Sequence, residues 1–305
     1  DVQVSLSAEV GRTYFELRGA QQQLAVALRN ADVQRKTVAL TESRLAAGRG
    51  TAFDVERARS VLQLTLAGVP AIEAQVSTSW YRLASLLGRG DETMPPELLA
   101  GGASTYLPDS VNVGSAGQLV RHRPDVLAAE RQAVAQSMSV GAAKADYMPR
   151  IALAASTGYT AADRFESLTR TGTSRLMFGP VVSFPLFDLG RVRQRVGFAE
   201  ARRDEANAQY TATVLQAVEE TERTKVAYAR AHERLALLEE AVKSSAHASA
   251  LAQERFEAGL TDFLQVLDAQ RTQLEAESQL ASAQTAASTA LVALYKATGG
   301  TLTIR

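Results

Sequence analysis

Cysteine is absent from the 305-residue chain, and there are only three histidines. Without thiols the chain has no disulfide, no thiolate metal site and no cysteine nucleophile. Three histidines also leave little for a histidine metal cage. Aromatic residues make up only 6% of the sequence. This is the composition of long helices rather than of a compact enzyme core.

A charge excess and long apolar runs are also missing. The 33 basic and 33 acidic side chains cancel to a formal net charge of zero, whereas nucleic-acid binders normally carry a basic excess. No stretch of about 18 apolar residues exists, so we expect no helix that crosses a bilayer. The sequence therefore predicts no nucleic-acid partner.

Motifs of catalysis are lacking as well. The sequence contains no Gly-x-x-x-x-Gly-Lys loop, no Gly-x-Ser-x-Gly elbow and no His-Glu-x-x-His pair. The acidic residues Glu219, Glu220 and Glu222 are predicted to form a solvated helix face rather than a metal or acid/base site. We therefore expect a protein that is not an enzyme, with no catalytic residue, no metal ligand and no cofactor.

The sequence does contain an internal repeat. Residues 12–88 align without gaps to residues 223–299, and each copy reads as a long helix, a glycine turn and a return helix that ends in glycine. Identical pairs include Arg44/Arg255, Gly48/Gly259, Val55/Val266, Leu83/Leu294 and Gly88/Gly299. The elements before the second copy have no counterpart before the first, so we expect a truncated first repeat.

Heptad spacing runs along the long helix of each copy, in alternating steps of four and three residues. In the second copy the seam comprises Tyr210, Val214, Ala217, Thr221, Thr224, Tyr228, Ala231, Leu235, Leu238, Val242, Ser245, Ser249, Ala252 and Phe256. In the first copy it comprises Leu17, Ala20, Leu24, Ala27, Ala31, Gln34, Val38, Thr41 and Leu45. Because small seam residues bury little area each, we expect an oligomer.

These patterns divide the sequence into six segments. They are a first-repeat helical hairpin at 1–88, an equatorial connector at 89–115, a helix at 116–148, a β-hairpin at 149–189, a long second-repeat helical hairpin at 190–299 and a tail at 300–305. Gly68 and Pro70 are predicted to kink or break the first return helix.

The predicted β-hairpin differs from the helices around it in the spacing of its apolar residues. Apolar residues alternate from Ile151 to Tyr159 and from Leu176 to Leu186, and both runs are long enough for a tilted strand to cross a bilayer. A hairpin in lipid must close a barrel, because an open edge leaves amides unsatisfied. Closure then needs several copies of the chain. The alternative is an ordinary hairpin that caps a helical bundle.

Four motifs resemble those of the TolC-like outer-membrane efflux channels, in particular the lipoprotein-type outer-membrane factors of resistance–nodulation–division pumps. The motifs are Leu119-Val-Arg-His-Arg-Pro-Asp125, Gly141-Ala-Ala-Lys-Ala-Asp-Tyr-Met-Pro149, Phe184-Pro-Leu-Phe-Asp-Leu-Gly-Arg191 and Arg255-Phe-Glu-Ala-Gly-Leu-Thr-Asp262 with its continuation to Arg271. They occur in this order within the duplicated frame, and the resemblance spans nearly the whole chain.

The resemblance implies a mainly α fold, in which two repeats of long antiparallel helical hairpins form a trimeric α-barrel and the β-hairpin contributes to a membrane β-barrel. It implies a homotrimer in the outer membrane with a periplasmic helical domain. The function implied is passive export of drugs or metal ions within a tripartite efflux pump. The implied partners are a periplasmic adaptor (membrane fusion) protein, an inner-membrane pump and outer-membrane lipid.

The resemblance also implies functional residues at the helix tips. The turns at Gly48, Thr51, Gly259 and Thr261 would contact the adaptor. Leu264, Asp268 and Arg271 would form a periplasmic gate, in which a carboxylate ring is held shut by arginine pairing. From the residues alone, Asp268 and Arg271 are equally an ordinary (i, i+3) pair.

The sequence departs from the family at its front, where the first strand pair, the helix before it and the lipidated cysteine have no counterpart. A trimer of this sequence alone would offer half the family's strands, and barrel diameter scales with strand number. We therefore expect the native chain to extend upstream of Asp1. The alternative function is a helical coiled-coil adaptor or scaffold protein that forms no channel.

Overall fold

The protein is described from a computed structural model, which describes residues 2–90, 93–99, 108, 111–112, 123–160, 172, 174–300 and 303–304. In chain order the helices are α1 (Val2–Ala46), α2 (Ala52–Leu86), α3 (Pro96–Leu99), α4 (Pro124–Ala145), α5 (Leu189–Glu257) and α6 (Phe263–Ala297). The strands are β1 (Val111–Asn112), β2 (Arg150–Tyr159), β3 (Ser174–Ser183) and β4 (Thr303–Ile304). Long helices joined by short turns thus dominate, and the predicted mainly α fold with a β-hairpin is confirmed.

Internal contacts group the chain into two compact units. Unit 1 comprises Asp1–Pro124 and Gln216–Arg305, and unit 2 comprises Asp125–Leu215. One boundary lies at the start of α4 and the other lies inside α5, so this 69-residue helix contributes to both units. The first-repeat hairpin therefore shares one unit with the second-repeat tip.

Unit 1 is built around α1, which packs against both α2 and α6. One apolar cluster joins Leu17 of α1 to Trp80 and Leu83 of α2. A second cluster near the turns joins Ala58, Phe256, Phe263 and Val266. In addition, β1 pairs antiparallel with β4.

The heptad seams are largely confirmed. Every predicted seam residue of α5 from Tyr210 to Phe256 is buried or half-buried. In α1 the same holds except at Leu45, which is 39% exposed because it lies in the last turn of the helix. A second buried stripe of α1, made of Gly19, Val26, Asn30 and Thr37, was missed because α1 packs against two helices.

The interface between α1 and α6 is close and polar. A Cβ added to Gly19 would lie 2.0 Å from Thr285 Oγ1, so a glycine is needed where the two helices approach. Nearby, Gln22 Nε2 donates to Gln284 Oε1 at 2.6 Å. Hydrogen bonds between amide side chains thus replace part of the apolar contact that such helices usually have.

One predicted break is absent and another is present. The helix α2 runs through Gly68 and Pro70 without the predicted break. In the helix predicted at 116–148, a break is predicted at His122-Arg-Pro124, and the described part of that helix begins at Pro124, because proline suits the first helical position, where its missing N–H is not required. Residues 113–122 lie outside the described part of the chain.

One predicted solvated residue is paired instead. Arg123 is 8% exposed and donates to Glu220 Oε2 and to the carbonyl of Ala297, each at 2.8 Å. The predicted solvated face holds for Glu219 and Glu222, which are exposed, whereas Glu220 is half-buried in its ion pair with Arg123. Spacing along α5 could not reveal it, because the partner is distant in sequence.

Unit 2 contains α4, the β2–β3 hairpin and the first part of α5. The buried residues of α4, Val126, Ala133 and Val140, recur at intervals of seven. Ion pairs connect α4 to α5, with Lys144 Nζ 3.3 Å from Glu200 Oε1. The antiparallel register places Ile151 opposite Val182 and Ala155 opposite Phe178.

Candidate functional site at the helix turns

Both turns that join the long helices are closed by the same hydrogen bonds. Gly48 N–H donates to Leu45 O at 2.9 Å, and Arg49 N–H donates to Arg44 O at 2.8 Å. The second turn repeats the pattern, from Gly259 to Phe256 at 2.9 Å and from Leu260 to Arg255 at 2.8 Å. This pair of hydrogen bonds is the Schellman motif. The residue in it that adopts a left-handed backbone conformation is usually glycine.

The glycine conformations explain why the repeat keeps these positions. Gly48 and Gly259 have φ of +68° and +76°, and Gly88 and Gly299 have φ of +73° and +69°. All four lie in the left-handed region, where a Cβ is strained. Equivalent glycines therefore end equivalent helices in the two repeats.

The return helices begin with matched side-chain caps. Thr51 Oγ1 accepts from Asp54 N–H at 3.2 Å, and Asp54 Oδ2 accepts in turn from Thr51 N–H, which forms a capping box. In the second repeat Asp262 caps α6, accepting from Gln265 N–H at 3.1 Å. The predicted Thr261 lies one position earlier and donates to Gln265 Oε1. The repeat alignment pairs Thr51 with Asp262, so it held the signal for this missed residue.

A hydrogen bond and a cation–π contact join the two turn regions. Arg44 Nη1 donates to the carbonyl of Phe256, and its guanidinium lies 4.2 Å from the centre of the Phe256 ring. The Phe256 ring in turn contacts Phe263, with centroids 5.6 Å apart. Arg44 therefore joins the end of α1 to the end of α5, a role that the sequence analysis did not assign.

The predicted gate residues are brought together in a groove of about 840 Å³, named here the tip groove. Leu264, Asp268 and Arg271 of α6 line it, together with Arg57 and Leu64 of α2. All three gate residues are exposed. Among the described residues, no ion pair joins Asp268 to Arg271, so the ordinary (i, i+3) pair is not made.

The floor of the tip groove is polar. Gln34 of α1 and Gln270 of α6 line it while being 7% and 8% exposed. Gln270 Nε2 donates to Thr37 Oγ1 at 2.9 Å, whereas Oε1 of Gln34 and Oε1 of Gln270 have no hydrogen-bond partner. Two buried acceptors thus lie beneath the charged gate residues. Sequence reasoning placed Gln34 on the seam but did not assign Gln270.

The β2–β3 hairpin is a second candidate site, because apolar side chains are exposed along it. Leu153, Leu176 and Phe178 are 68%, 80% and 70% exposed. The register places the alternating apolar residues of both strands on one face of the hairpin. Alanine, serine and glycine predominate on the opposite face of β2.

The described part of the chain bears on two further features, a metal site and a membrane-spanning helix. Within the described ranges, no group of three or more histidine or acidic residues could hold a metal ion. None of the described helices is long and apolar enough to cross a membrane.

The chain thus belongs to a class of mainly helical proteins that combine matched helical hairpins with one β-hairpin, here β2–β3, whose apolar face is suited to lipid. The profile of the family described as outer membrane efflux protein matches residues 1–89 and 116–300. The chain belongs to this family. The predicted resemblance to TolC-like efflux proteins is therefore confirmed.

Individual relatives agree with the family match. The outer membrane protein OprJ of Pseudomonas aeruginosa is 32% identical over 297 residues, which cover 97% of this chain and 62% of OprJ. The solved outer-membrane channel OprN is 38% identical, with a TM-score of 0.83, over 98% of this chain and 67% of OprN. The outer membrane protein VceC from Vibrio cholerae is 30% identical, with a TM-score of 0.81, over 97% of this chain and 70% of VceC.

The chain is shorter than these relatives, and it spans about three fifths of the length of the curated proteins it matches. The predicted location in the outer membrane, with a periplasmic helical domain, is confirmed by the family and its solved channels. The family is one of transport components rather than of enzymes.

Proposed function

We propose that the chain is a subunit of an outer-membrane export channel in a tripartite efflux pump. The observation that carries this proposal is the β2–β3 hairpin, whose apolar side chains are exposed along one face in a chain of the outer membrane efflux family. Such a face is stable in lipid and costly in water. The periplasmic helices then form the duct.

The same reasoning supports a homotrimer. A single hairpin has two open strand edges, and in lipid each unpaired amide costs several kcal/mol. Closure into a barrel requires strands from other copies of the chain. A trimer also covers the long helices, which bury small side chains and leave large apolar residues such as Leu215 and Leu237 exposed.

The tips are proposed to hold the gate and the adaptor contact. Leu264, Asp268 and Arg271 are exposed in the tip groove, so the charges of Asp268 and Arg271 are free to face an opening. The turns at Gly48, Thr51, Gly259 and Thr261 present short loops for a periplasmic adaptor, which links the channel to an inner-membrane pump. The exported compounds are drugs or metal ions that the pump selects.

The experiment asks which face of the hairpin contacts lipid. Phe178 and Met177 are neighbours in β3 with 70% and 72% exposure, on opposite faces. A lysine on the lipid face of a barrel costs about 2–4 kcal/mol near the midplane, whereas the inner face tolerates it. Phe178→Lys should therefore abolish recovery in outer-membrane fractions and conductance in planar bilayers. Met177→Lys should keep both.

Either of two results would contradict the proposal. One is recovery of the unaltered full-length protein in the water-soluble fraction. The other is an equal response of Phe178→Lys and Met177→Lys, because a hairpin that merely caps a helical bundle has no lipid face. Chemical cross-linking of the membrane fraction should yield trimers.

A further inference from the structure

Basic side chains are concentrated in unit 2 where the strands meet the helices. Residues 144–150 and 183–195 contain five basic and two acidic side chains, a local net charge of +3 in a chain that is neutral as a whole. The basic residues, named here the basic collar, are Lys144, Arg150, Arg191, Arg193 and Arg195. This excess needs a physical explanation.

Folding of the helix does not explain it. Arg191, Arg193 and Arg195 lie in the first two turns of α5, which begins at Leu189 and has no acidic residue in its first turn. The N-terminus of a helix carries a partial positive charge, so cations there are unfavourable. Arg191, in the first turn, therefore opposes the helix dipole, and Arg193 and Arg195 follow in the second turn, where the dipole effect is weaker.

Pairing within unit 2 neutralises only part of the charge. Asp146 contacts both Arg150 and Arg195, the latter at 2.9 Å. Asp188 lies 3.2 Å from Arg191, and Glu200 lies 3.3 Å from Lys144. Arg193 is exposed and makes no hydrogen bond or ion pair with the residues that the structure describes. Positive charge therefore remains available to an external anion.

Exposed apolar residues lie in the same segments. Met148, Leu186 and Phe187 are 68%, 61% and 105% exposed. Further along α5, the exposed ring of Phe198 carries the guanidinium of Arg202 at 4.7 Å from its centre. Aromatic and apolar side chains next to arginine and lysine are typical of a membrane–water interface, where apolar stems enter lipid and charged ends reach the headgroups.

We propose that the basic collar binds the headgroup phosphates of anionic phospholipids in the periplasmic leaflet. The inference rests on the proposed function, which places the β2–β3 hairpin in the membrane and the helices in the periplasm. The strand–helix junction then lies at the periplasmic surface. The guanidinium of arginine can donate two parallel hydrogen bonds to phosphate oxygens. The negative charge of the lipid headgroups would also compensate for the unfavourable positive charge at the start of α5.

The test is flotation of the full-length protein with vesicles of phosphatidylcholine, with or without phosphatidylglycerol. The variant is Arg191→Gln/Arg193→Gln, and the matched control is Arg223→Gln/Arg234→Gln, two exposed arginines of the same helix. We expect the preference for phosphatidylglycerol to fall by about fivefold for each collar arginine removed. The control should keep the preference, and high salt should weaken it.

Arg191→Lys/Arg193→Lys retains the charge and should retain most of the preference. The Gln variant should melt close to the unaltered protein, because the exposed Arg191–Asp188 pair that it removes contributes little and a cation in the first turn of a helix is unfavourable. This readout excludes misfolding. Equal flotation with both vesicle types overturns the collar but leaves the membrane hairpin intact. Flotation with neither overturns both proposals. A preference that persists in the Gln variant also overturns the collar.

Discussion

Arg123, the residue before α4, forms an ion pair with Glu220 of α5, with 2.8 Å between Arg123 Nη2 and Glu220 Oε2. The Arg123 side chain is 10% exposed, and its other terminal nitrogen donates to the last turn of α6 at Ala297. One guanidinium therefore contacts both α5 and α6.

Replacement of this arginine should destabilise unit 1. We expect Arg123→Gln to lower the free energy of unfolding by about 2–3 kcal/mol, because charged hydrogen bonds of this kind contribute such amounts and their loss leaves acceptors unpaired. Glu220→Gln should cost less, since the bond to Ala297 remains. Urea unfolding followed by circular dichroism measures both. The exposed pair Arg230–Glu233 provides the control, and Arg230→Gln should change stability by less than about 0.5 kcal/mol.

Gly19→Ala should be destabilising by about 1–3 kcal/mol, because the new methyl group would lie 2.0 Å from Thr285 Oγ1. Gly141→Ala is the matched control, since Gly141 is also within a helix and nothing lies within 4 Å of its added Cβ. There the helix propensity of alanine should stabilise by about 0.5–1 kcal/mol. Thermal melts of the two variants should therefore shift in opposite directions. A Gly19→Ala variant that melts as high as the unaltered protein, or higher, would mean that α1 and α6 do not approach closely.

Acid should weaken one contact between α1 and α2. Hydrogen bonds from Arg12 and Arg82 lower the pKa of Glu9 from 4.5 to about 2. A carboxylate whose pKa is lower in the folded state stabilises the fold above its unfolded value and loses that effect as pH falls through the folded value. The unaltered protein should therefore melt higher than Glu9→Gln at neutral pH. This difference should shrink between pH 4.5 and about 2. A constant difference across that range would reject the assignment.

Gate substitutions should widen the duct. We expect Asp268→Ala/Arg271→Ala to raise single-channel conductance in planar bilayers and to change ion selectivity, because both charges would leave the constriction. The control is Glu240→Ala/Lys243→Ala, a charge-neutral change to an exposed pair on α5 with 2.7 Å between its charged atoms. Conductance and selectivity that match the unaltered protein would reject the gate.

The fold was largely predictable because its signals are local and repeated. Heptad spacing predicted the α5 seam, and alternation predicted both strands of the hairpin. Glycines at equal offsets predicted the turns, since Gly48 and Gly259 must adopt a left-handed conformation that other residues avoid.

Contacts between distant residues were not predictable in the same way. Nothing in the spacing of α1 shows that Gly19 faces Thr285, and nothing near Glu220 shows that Arg123 pairs with it. The candidate gate residues came from the family resemblance, whereas the buried Gln34 and Gln270 beneath them became visible only when three helices were brought together. The role of Asp262 as a helix cap could have been predicted, because the repeat alignment pairs it with Thr51.

The backbone of each tip turn is closed by hydrogen bonds among its own few residues. Positions at which neither the left-handed glycine nor the helix cap requires a particular side chain are free to diverge. Arg49 and Gly50 in the first turn correspond to Leu260 and Thr261 in the second. Duplication has therefore produced two loops with one backbone and different chemistry. A protein that docks on both turns would contact two loops with the same backbone shape but different side chains.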